Sequence, residues 1–291
     1  MNDYLIRGIA ANGTVRAFAI DTTELVAHAA TIHETYPVVT AALGRTLSAG
    51  AMMGSMMKGE NDLITLTIKG DGPIGSITVT ADSHGNIKGF PGNNVVDIPL
   101  KRPGKLDVGG AIGNGTLTVV MDLGLAEPYN GMVELQTGEI GDDLAYYYTV
   151  SEQTQSAVGL WVMVDTDWSV KHSGGFIIQM MPDVQEETIA ALETKLAEIS
   201  SVTDMMEDGM SPEDMLTAIL GDLGFEITEK QAVRFYCNCD KDRVSASLAT
   251  IQTSDLQEMI DDGEDIEVKC YFCNSTYNFS VDELREILSN R

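Results

Sequence analysis

Long apolar runs are missing from this 291-residue chain. The most apolar stretch, residues 38–57, is interrupted by Arg45, Ser48 and Ser55, and the N-terminus lacks a basic region followed by an apolar segment. A membrane-spanning helix needs about 20 consecutive apolar residues, and a secretion signal needs a charged start and an apolar core. The sequence therefore predicts a soluble, cytoplasmic protein that does not bind a membrane.

Basic residues are also scarce. The chain has 18 Lys+Arg against 44 Asp+Glu, a formal net charge of −26. Residues 1–182 carry 10 basic and 19 acidic residues, net −9, whereas residues 183–291 carry 8 and 25, net −17. Such a surface repels a phosphate backbone, so we expect no nucleic-acid partner. Most of these charges are typical of a solvated face that keeps a protein in solution.

Motifs of enzyme active sites are absent too. The chain has four histidines, and His28 and His33 are five residues apart, on different faces of a predicted helix. There is no Gly-x-Ser-x-Gly, phosphate-binding loop or His-Glu-x-x-His motif. Residues 70–75 have the spacing of a dinucleotide-binding loop, but the alternating residues that follow indicate a strand instead of a helix. The sequence predicts a protein that is not an enzyme.

Cysteine is rare, and its placement is the most informative feature of the chain. The four cysteines form a Cys-x-Cys pair, Cys237 and Cys239, and a Cys-x-x-Cys pair, Cys270 and Cys273. Scattered cysteines are usually buried hydrophobic residues, and disulfide scaffolds belong to short secreted chains. Two close pairs separated by a loop are typical of a zinc site. We therefore expect one Zn²⁺ per chain, with an unusually short spacing in the first pair.

Hydrophobic periodicity predicts an α+β fold with an N-terminal antiparallel-sheet domain over residues 1–182. The turn at Asn12-Gly13 indicates a hairpin over 4–20, and helices are predicted over 22–33 and 37–58. Alternating residues predict a meander over 62–121 and strands at 131–135, 158–165 and 174–180; the first two of these are expected to pair, with a helix over 142–149 between them. We interpret the methionines at 52, 53, 56 and 57 as gap-filling side chains of a buried helix.

Strand patterns are not recognised in residues 183–231. Apolar spacings of three and four predict an amphipathic helix over 183–200, and Ser211-Pro212 begins a second helix after a loop at 204–209. Two short helices cannot bury their apolar faces alone, so they must pack on the N-terminal domain or on the zinc module. The structure of this segment is therefore expected to depend on that packing.

The remaining residues, 232–291, are predicted to form a small zinc-binding module. Ser254 begins a short helix, residues 266–270 and 276–279 can form a hairpin, and Ser280 with Glu283 is typical of a capping box for a last helix. A domain of roughly 60 residues is marginally stable without a metal or disulfides. We expect zinc to hold this module together.

Zinc-bound thiolates are also oxidisable. Structural zinc contributes about 10–16 kcal/mol of apparent binding free energy, which is comparable with the about 5–15 kcal/mol of stability of a whole domain. Oxidation that releases the metal is therefore predicted to unfold the module and to expose apolar surface on the linker helices and the domain beneath. The residues alone predict a redox-sensing conformational switch, but not what the exposed surface binds.

Three further stretches carry a family signature. They are GMVEL at 131–135, GEIGDDLAYYY at 138–148 with SEQ at 151–153, and GGFIIQMMP at 174–182. Together with both cysteine pairs, they resemble the 33-kDa heat-shock family of redox-regulated chaperones. The resemblance covers essentially the whole chain.

The resemblance implies an ATP-independent holdase that binds unfolding and oxidatively damaged proteins and prevents their aggregation. The reduced, zinc-bound form would be inactive, and oxidation with unfolding conditions would activate it as a homodimer. Cys237, Cys239, Cys270 and Cys273 would be both zinc ligands and redox sensors, with disulfides Cys237–Cys239 and Cys270–Cys273. Residues near 183–231 would be the metastable helical linker whose opening exposes the client-binding surface.

Two alternatives remain open. Cys-x-x-Cys is also the motif of thiol–disulfide oxidoreductases, although there it begins a helix after a strand, whereas Cys270 precedes hairpin-like residues. A zinc-dependent adaptor for nucleic acid is the other alternative, and the net charge of −17 over residues 183–291 disfavours it.

Overall fold

A computed structural model describes residues 3–198 and 210–290. The strands are β1 (Tyr4–Ala10), β2 (Val15–Asp21), β3 (Leu63–Gly70), β4 (Ser76–Asp82), β5 (Asn86–Pro91), β6 (Gly115–Asp122), β7 (Tyr129–Glu134), β8 (Ser156–Val164), β9 (Val170–Met180), β10 (Glu226–Ala232), β11 (Arg234–Phe235), β12 (Ile266–Lys269) and β13 (Thr276–Phe279). The helices are α1 (Thr23–His33), α2 (Pro37–Gly54), α3 (Val108–Ile112), α4 (Gly141–Val150), α5 (Glu186–Glu198), α6 (Pro212–Leu220), α7 (Lys241–Leu248), α8 (Thr253–Asp261) and α9 (Val281–Ser289). The predicted α+β class with antiparallel sheets is confirmed.

The chain divides into two compact units, Met1–Tyr236 and Cys237–Arg291. The larger unit contains a five-stranded sheet in the order β10-β1-β2-β9-β8 and a six-stranded sheet in the order β11-β5-β4-β3-β6-β7. All pairings are antiparallel except that of β11 with β5. The predicted pairing of the strands near 131–135 and 158–165 is wrong, because β7 pairs with β6 and β8 with β9. Strands β7 and β8 follow each other along the chain but lie in different sheets.

Helix α2 supplies much of the main core of the larger unit. It begins with Pro37 at its first turn, and 16 of its 18 residues are buried, which confirms the predicted burial around its circumference. It ends at Gly54 instead of the expected residue 58. The hydroxyl of Ser55 donates to the carbonyl of Met52 at 2.7 Å. The backbone hydrogen bonds that follow span three residues instead of the four of an α-helix. Both sheets contribute buried side chains to this core.

Helices α5 and α6 cover the outer face of the five-stranded sheet. Leu192 of α5 and Leu216 and Ile219 of α6 lie in one buried cluster with Ile6 and Phe176 of the sheet. The sequence did not decide whether these helices pack on the N-terminal domain or on the zinc module. They pack on the N-terminal sheet. The loop predicted at 204–209 and the end of the helix predicted over 183–200 lie outside the described residues.

Strand β10 corrects the expectation that no strand lies in residues 183–231. Its sequence, EITEKQA, is almost entirely exposed, because it forms the edge of the sheet beside β1. Apolar alternation, the signal for a half-buried strand, is therefore absent. Gly8 of β1 allows β10 to approach closely, since a Cβ at residue 8 would lie 2.6 Å from the carbonyl oxygen of Glu226.

The observed units also differ from the predicted boundaries at 182/183 and 231/232. Ala232 pairs with Tyr4, and Arg234 and Phe235 pair with β5, so residues 232–236 belong to the larger unit. The segment 183–231 is likewise part of that unit, and it contains β10 in addition to the two predicted helices.

The smaller unit consists of the β12–β13 hairpin and helices α7, α8 and α9. The hairpin and the capping box of Ser280 and Glu283 are confirmed, whereas α7 was not predicted. Its core has six buried hydrophobic side chains, Leu248, Leu256, Ile260, Phe279, Leu284 and Ile287. Across both units, the described residues contain no helix with the length and apolarity needed to cross a membrane.

Candidate metal centre

Two local structures present the four cysteines. Cys237 and Cys239 lie in the segment that precedes α7, and the next residue, Asp240, begins that helix by accepting a hydrogen bond from the Arg243 N–H at 2.8 Å. An aspartate at this position is a preferred helix cap. The cap fixes the chain direction immediately after Cys239.

Cys270 and Cys273 lie in the turn between β12 and β13. The N–H of Cys270 donates to the carbonyl of Ser275 at 2.9 Å, and the N–H of Asn274 donates to the carbonyl of Cys270 at 2.8 Å. Asn274 has φ 57°, in the left-handed region that asparagine tolerates better than most residues. The Cys-x-x-Cys pair is thus held by a strand–turn–strand structure, which differs from the helix start of a thioredoxin-like redox motif.

All four sulfurs meet in one cluster, as the sequence predicted. The Sγ atoms lie within 4.8 Å of one another, with Cys237 to Cys270 at 3.8 Å and Cys239 to Cys273 at 3.1 Å. A tetrahedral zinc site with Zn–S bonds of about 2.3 Å has neighbouring sulfurs about 3.8 Å apart. No disulfide joins these four cysteines, all of which the structure describes. The cluster therefore fits a single metal ion, and four soft sulfur donors suit zinc.

Hydroxyl groups of the hairpin contact the sulfurs. The Tyr277 hydroxyl donates to Cys239 Sγ at 3.1 Å, and the Cys273 thiol lies 3.3 Å from Ser275 Oγ. Burial opposes ionisation of Cys273, but hydrogen bonding with Ser275 and with Cys239 lowers the pKa of this thiol to about 7. Burial raises the pKa of Cys239, although the Tyr277 hydroxyl opposes that shift. The pKa of Tyr277 is raised to about 12, because its hydroxyl donates a hydrogen bond to the Cys239 sulfur.

Sequence reasoning missed Tyr277 and Ser275. Both follow Cys273 within four residues, on the turn and strand that complete the hairpin. Hydroxyl side chains are frequent in such structures, so no spacing pattern distinguishes them. Groups that hydrogen-bond to metal ligands orient them and tune their basicity, which gives these two residues a place in the site.

Comparison with known proteins places the chain in a family. The family model described as "Hsp33 protein" matches residues 3–280. The chain belongs to the Hsp33 family. The resemblance predicted from the sequence is confirmed.

Relatives and a solved structure agree along the full length. A 33 kDa chaperonin of Agathobacter rectalis is 57% identical over 287 residues, covering 99% of this chain and 100% of that protein. A 33 kDa chaperonin of Lachnoclostridium phytofermentans is 54% identical over 289 residues, covering 99% of each chain. The crystal structure of a 33 kDa chaperonin (heat shock protein 33 homolog) from Thermotoga maritima is 33% identical and superposes with a TM-score of 0.91, covering 100% of this chain and 99% of that one.

Proposed function

We propose that this protein is a redox-regulated, ATP-independent chaperone that binds unfolding and oxidatively damaged proteins and prevents their aggregation. Membership of the Hsp33 family and the chaperonin names of its relatives support the chaperone role. The redox control is inferred from one observation above all, the four cysteine sulfurs within 4.8 Å of one another in the smaller unit.

The metal makes a large difference to this unit because its core is small. Six buried side chains form that core, and below about 70–80 residues a single core rarely supplies more than about 3–5 kcal/mol. A structural zinc ion contributes about 10–16 kcal/mol of apparent binding free energy. Cys237, Cys239, Cys270 and Cys273 would hold one Zn²⁺, and we expect the unit to lose its fold when they cannot.

Oxidation removes the ligands in pairs. Two thiolates form one disulfide and pass two electrons to the oxidant, so that one hydrogen peroxide is reduced to two waters with the uptake of two protons. The resemblance implies disulfides Cys237–Cys239 and Cys270–Cys273. Each disulfide would remove two zinc ligands, and both together would release the ion.

The client-binding surface would be exposed by opening of the segment 183–231. Helices α5 and α6 and strand β10 belong to this segment, and the helices cover an apolar face of the sheet that includes Ile6 and Phe176. The chain runs from β10 through β11 directly into Cys237. Loss of order beyond Cys237 would therefore free the C-terminal end of the segment and favour its release.

The remaining properties follow from this proposal. The active form would be a homodimer in the cytoplasm that binds partly unfolded proteins, without enzymatic activity and without nucleic-acid or membrane binding. The net charge of −26 supports the absence of nucleic-acid binding and would keep complexes with apolar clients in solution.

The test is suppression of client aggregation. Peroxide with mild heat should release about one zinc ion per chain and should make the protein suppress the aggregation of an unrelated unfolding enzyme in the absence of ATP. The reduced, zinc-loaded protein should not suppress it, and a thiol reductant should reverse the activation. Zinc release without suppression of aggregation would contradict the proposal.

A further inference from the structure

The larger unit contains a cavity for which the proposed redox switch has no use. Its volume is about 360 Å³, and its apolar wall includes Met53, Met56, Met57, Met121 and Tyr148. Small-molecule sites are typically apolar cavities of about 300–1,000 Å³ with a few fixed polar groups. Met56 and Met57 are only half-buried, so these residues of the methionine cluster do not simply fill the interior of a helix layer.

A single guanidinium is held at this cavity by a neutral partner. Nε and Nη2 of Arg16 donate to Gln179 Oε1 at 3.0 and 2.6 Å, and Gln179 is only 2% exposed. Within residues 3–198 and 210–290, Arg16 forms no ion pair with a carboxylate. Burial lowers the pKa of Arg16, and Arg7, a charge of the same sign, lowers it further. The chain has 44 acidic residues, but none of those that the structure describes forms an ion pair with this half-buried charge.

The two carboxylates that line the cavity have other donors. Asp62 accepts from the N–H of Gly59 at 2.8 Å, and Glu152 accepts from the Tyr147 hydroxyl at 2.7 Å. A half-buried charge without a counter-ion is costly, and a charged hydrogen bond from a ligand would offset that cost. The unmet requirement of this cavity is therefore an anion beside Arg16.

We propose that the cavity binds a small apolar molecule that carries one carboxylate, such as a medium-chain fatty acid. The carboxylate would pair with Arg16, which Gln179 orients, and the apolar chain would lie against the methionine side chains. Methionine suits this wall because its flexible, polarisable side chain adapts to ligands of different shape. Tyr147, Tyr148, Glu152 and Gln179 also belong to the stretches by which the sequence resembles its family, and the thiol switch assigns them no task.

The probe for this proposal is sodium octanoate, titrated into the reduced, zinc-loaded protein below its micelle-forming concentration. Calorimetry should show saturable binding of one octanoate per chain. Nuclear magnetic resonance of protein labelled with ¹³C at the methionine methyl groups should show shifts at the methionines of the cavity and not at Met132 or Met215, which do not line it. Octanol, which has the same chain and no charge, should bind about tenfold or more weakly, because a charged hydrogen bond is lost.

Variants at two arginines separate the carboxylate site from general charge effects. Arg16→Met should weaken octanoate binding by about tenfold or more, whereas Arg16→Lys should retain part of it. Arg234 is the matched control, because an amide oxygen, Asn86 Oδ1, also holds it at 2.8 Å but outside the cavity. Arg234→Met should bind octanoate as the unchanged protein does.

The proposal is wrong if the unchanged protein shows no saturable octanoate binding, if octanol binds as tightly, or if Arg16→Met binds normally. Should Arg16→Met fail to fold, the octanol comparison and the methionine shifts still decide the question. None of these results depends on oxidation or on client binding, so they stand apart from success or failure of the proposed chaperone function.

Discussion

Replacement of Glu213 by glutamine should loosen the segment 183–231 without touching the metal centre. The Glu213 carboxylate joins three elements: it accepts from the Tyr4 hydroxyl of β1 at 2.6 Å and pairs with Lys230 of β10 at 2.8 Å. The Lys230 ammonium also lies 3.7 Å from the centre of the Tyr4 ring. Glu213 itself is in the first turn of α6. One side chain thus connects α6 and β10 to the sheet beneath them.

The structure gives the size of the effect. A hydrogen bond to a charged group contributes about 1.5–3 kcal/mol, and an exposed ion pair contributes about 0–1 kcal/mol. The side chain of Lys230 is 57% exposed and that of Glu213 is 28% exposed, so the lower part of each range applies. Glutamine keeps one acceptor for Tyr4 but loses the charge. We expect a loss of about 1–2 kcal/mol, which raises the open population about 5- to 30-fold.

The same contacts predict a dependence on pH. Burial raises the pKa of Glu213, but Lys230 and the Tyr4 hydroxyl outweigh burial and lower it overall. Because the folded pKa is lowered, the charge of Glu213 stabilises the closed segment above its ordinary value of 4.5, and this stability is lost as the pH falls. The glutamine variant should lack this dependence.

Hydrogen exchange of the reduced, zinc-bound protein measures the opening. Peptides from α6 and β10 should exchange faster in Glu213→Gln, while exchange of peptides from β3 and β6 of the six-stranded sheet remains unchanged. Glu193→Gln, which changes an exposed carboxylate on α5, is the control. Equal exchange in Glu213→Gln and the unchanged protein would refute the reasoning, as would an equal effect of Glu193→Gln.

Four further changes test other parts of the structure. Cys239→Ser removes one of four sulfur ligands, so the isolated protein should contain less than one zinc per chain by metal analysis, and its 237–291 peptides should exchange rapidly; full zinc content would argue against this ligand set. Tyr277→Phe removes the donor to Cys239 Sγ and should weaken zinc binding about 10- to 100-fold in a chelator competition, with an unchanged zinc affinity as the contrary result. Leu284→Ala truncates a fully buried side chain of the small core and should destabilise the zinc-bound smaller unit by about 2–5 kcal/mol in denaturant unfolding, whereas a change below about 1 kcal/mol would contradict the proposed packing. Burial raises the pKa of Asp3 to about 6 from 3.8, so the stability contributed by its protonated form is complete below pH 3.8 and is lost as the pH rises through about 6. Asp3→Asn should therefore flatten the pH dependence of the melting temperature between about pH 4 and 7. Parallel curves of melting temperature against pH for the variant and the unchanged protein would contradict this.

Local signals explain which elements were predictable. Ser211 caps α6, and Ser280 with Glu283 forms the capping box of α9, as the sequence predicts, because a cap depends on residues only three positions apart. Strand β10 could not be found in this way, since its pairing with β1 joins residues more than 200 positions apart and its side chains are exposed. Helix α7 was missed because only its last residue, Leu248, is buried, so no apolar periodicity marks it.

The residues of the candidate sites also differ in how far they could be predicted from local sequence. The four cysteines were predictable because zinc coordination needs a few residue types at short spacing, and the structure brings all four sulfurs together. The hydroxyl of Tyr277 and the guanidinium of Arg16 were not predictable, because their roles depend on what the fold places beside them. Arg16 is distinguished by its contact with Gln179, which lies on another strand of the sheet.

We propose that the four sulfurs hold the smaller unit together and also control exposure of the client-binding surface. Hydrogen exchange and zinc content measured on the same sample, before and after peroxide with mild heat, test this most directly. We predict that loss of zinc coincides with rapid exchange over 237–291 and over α5, α6 and β10, while strands β3 and β6 of the six-stranded sheet stay protected. Zinc loss with continued protection of α5, α6 and β10 would contradict the account.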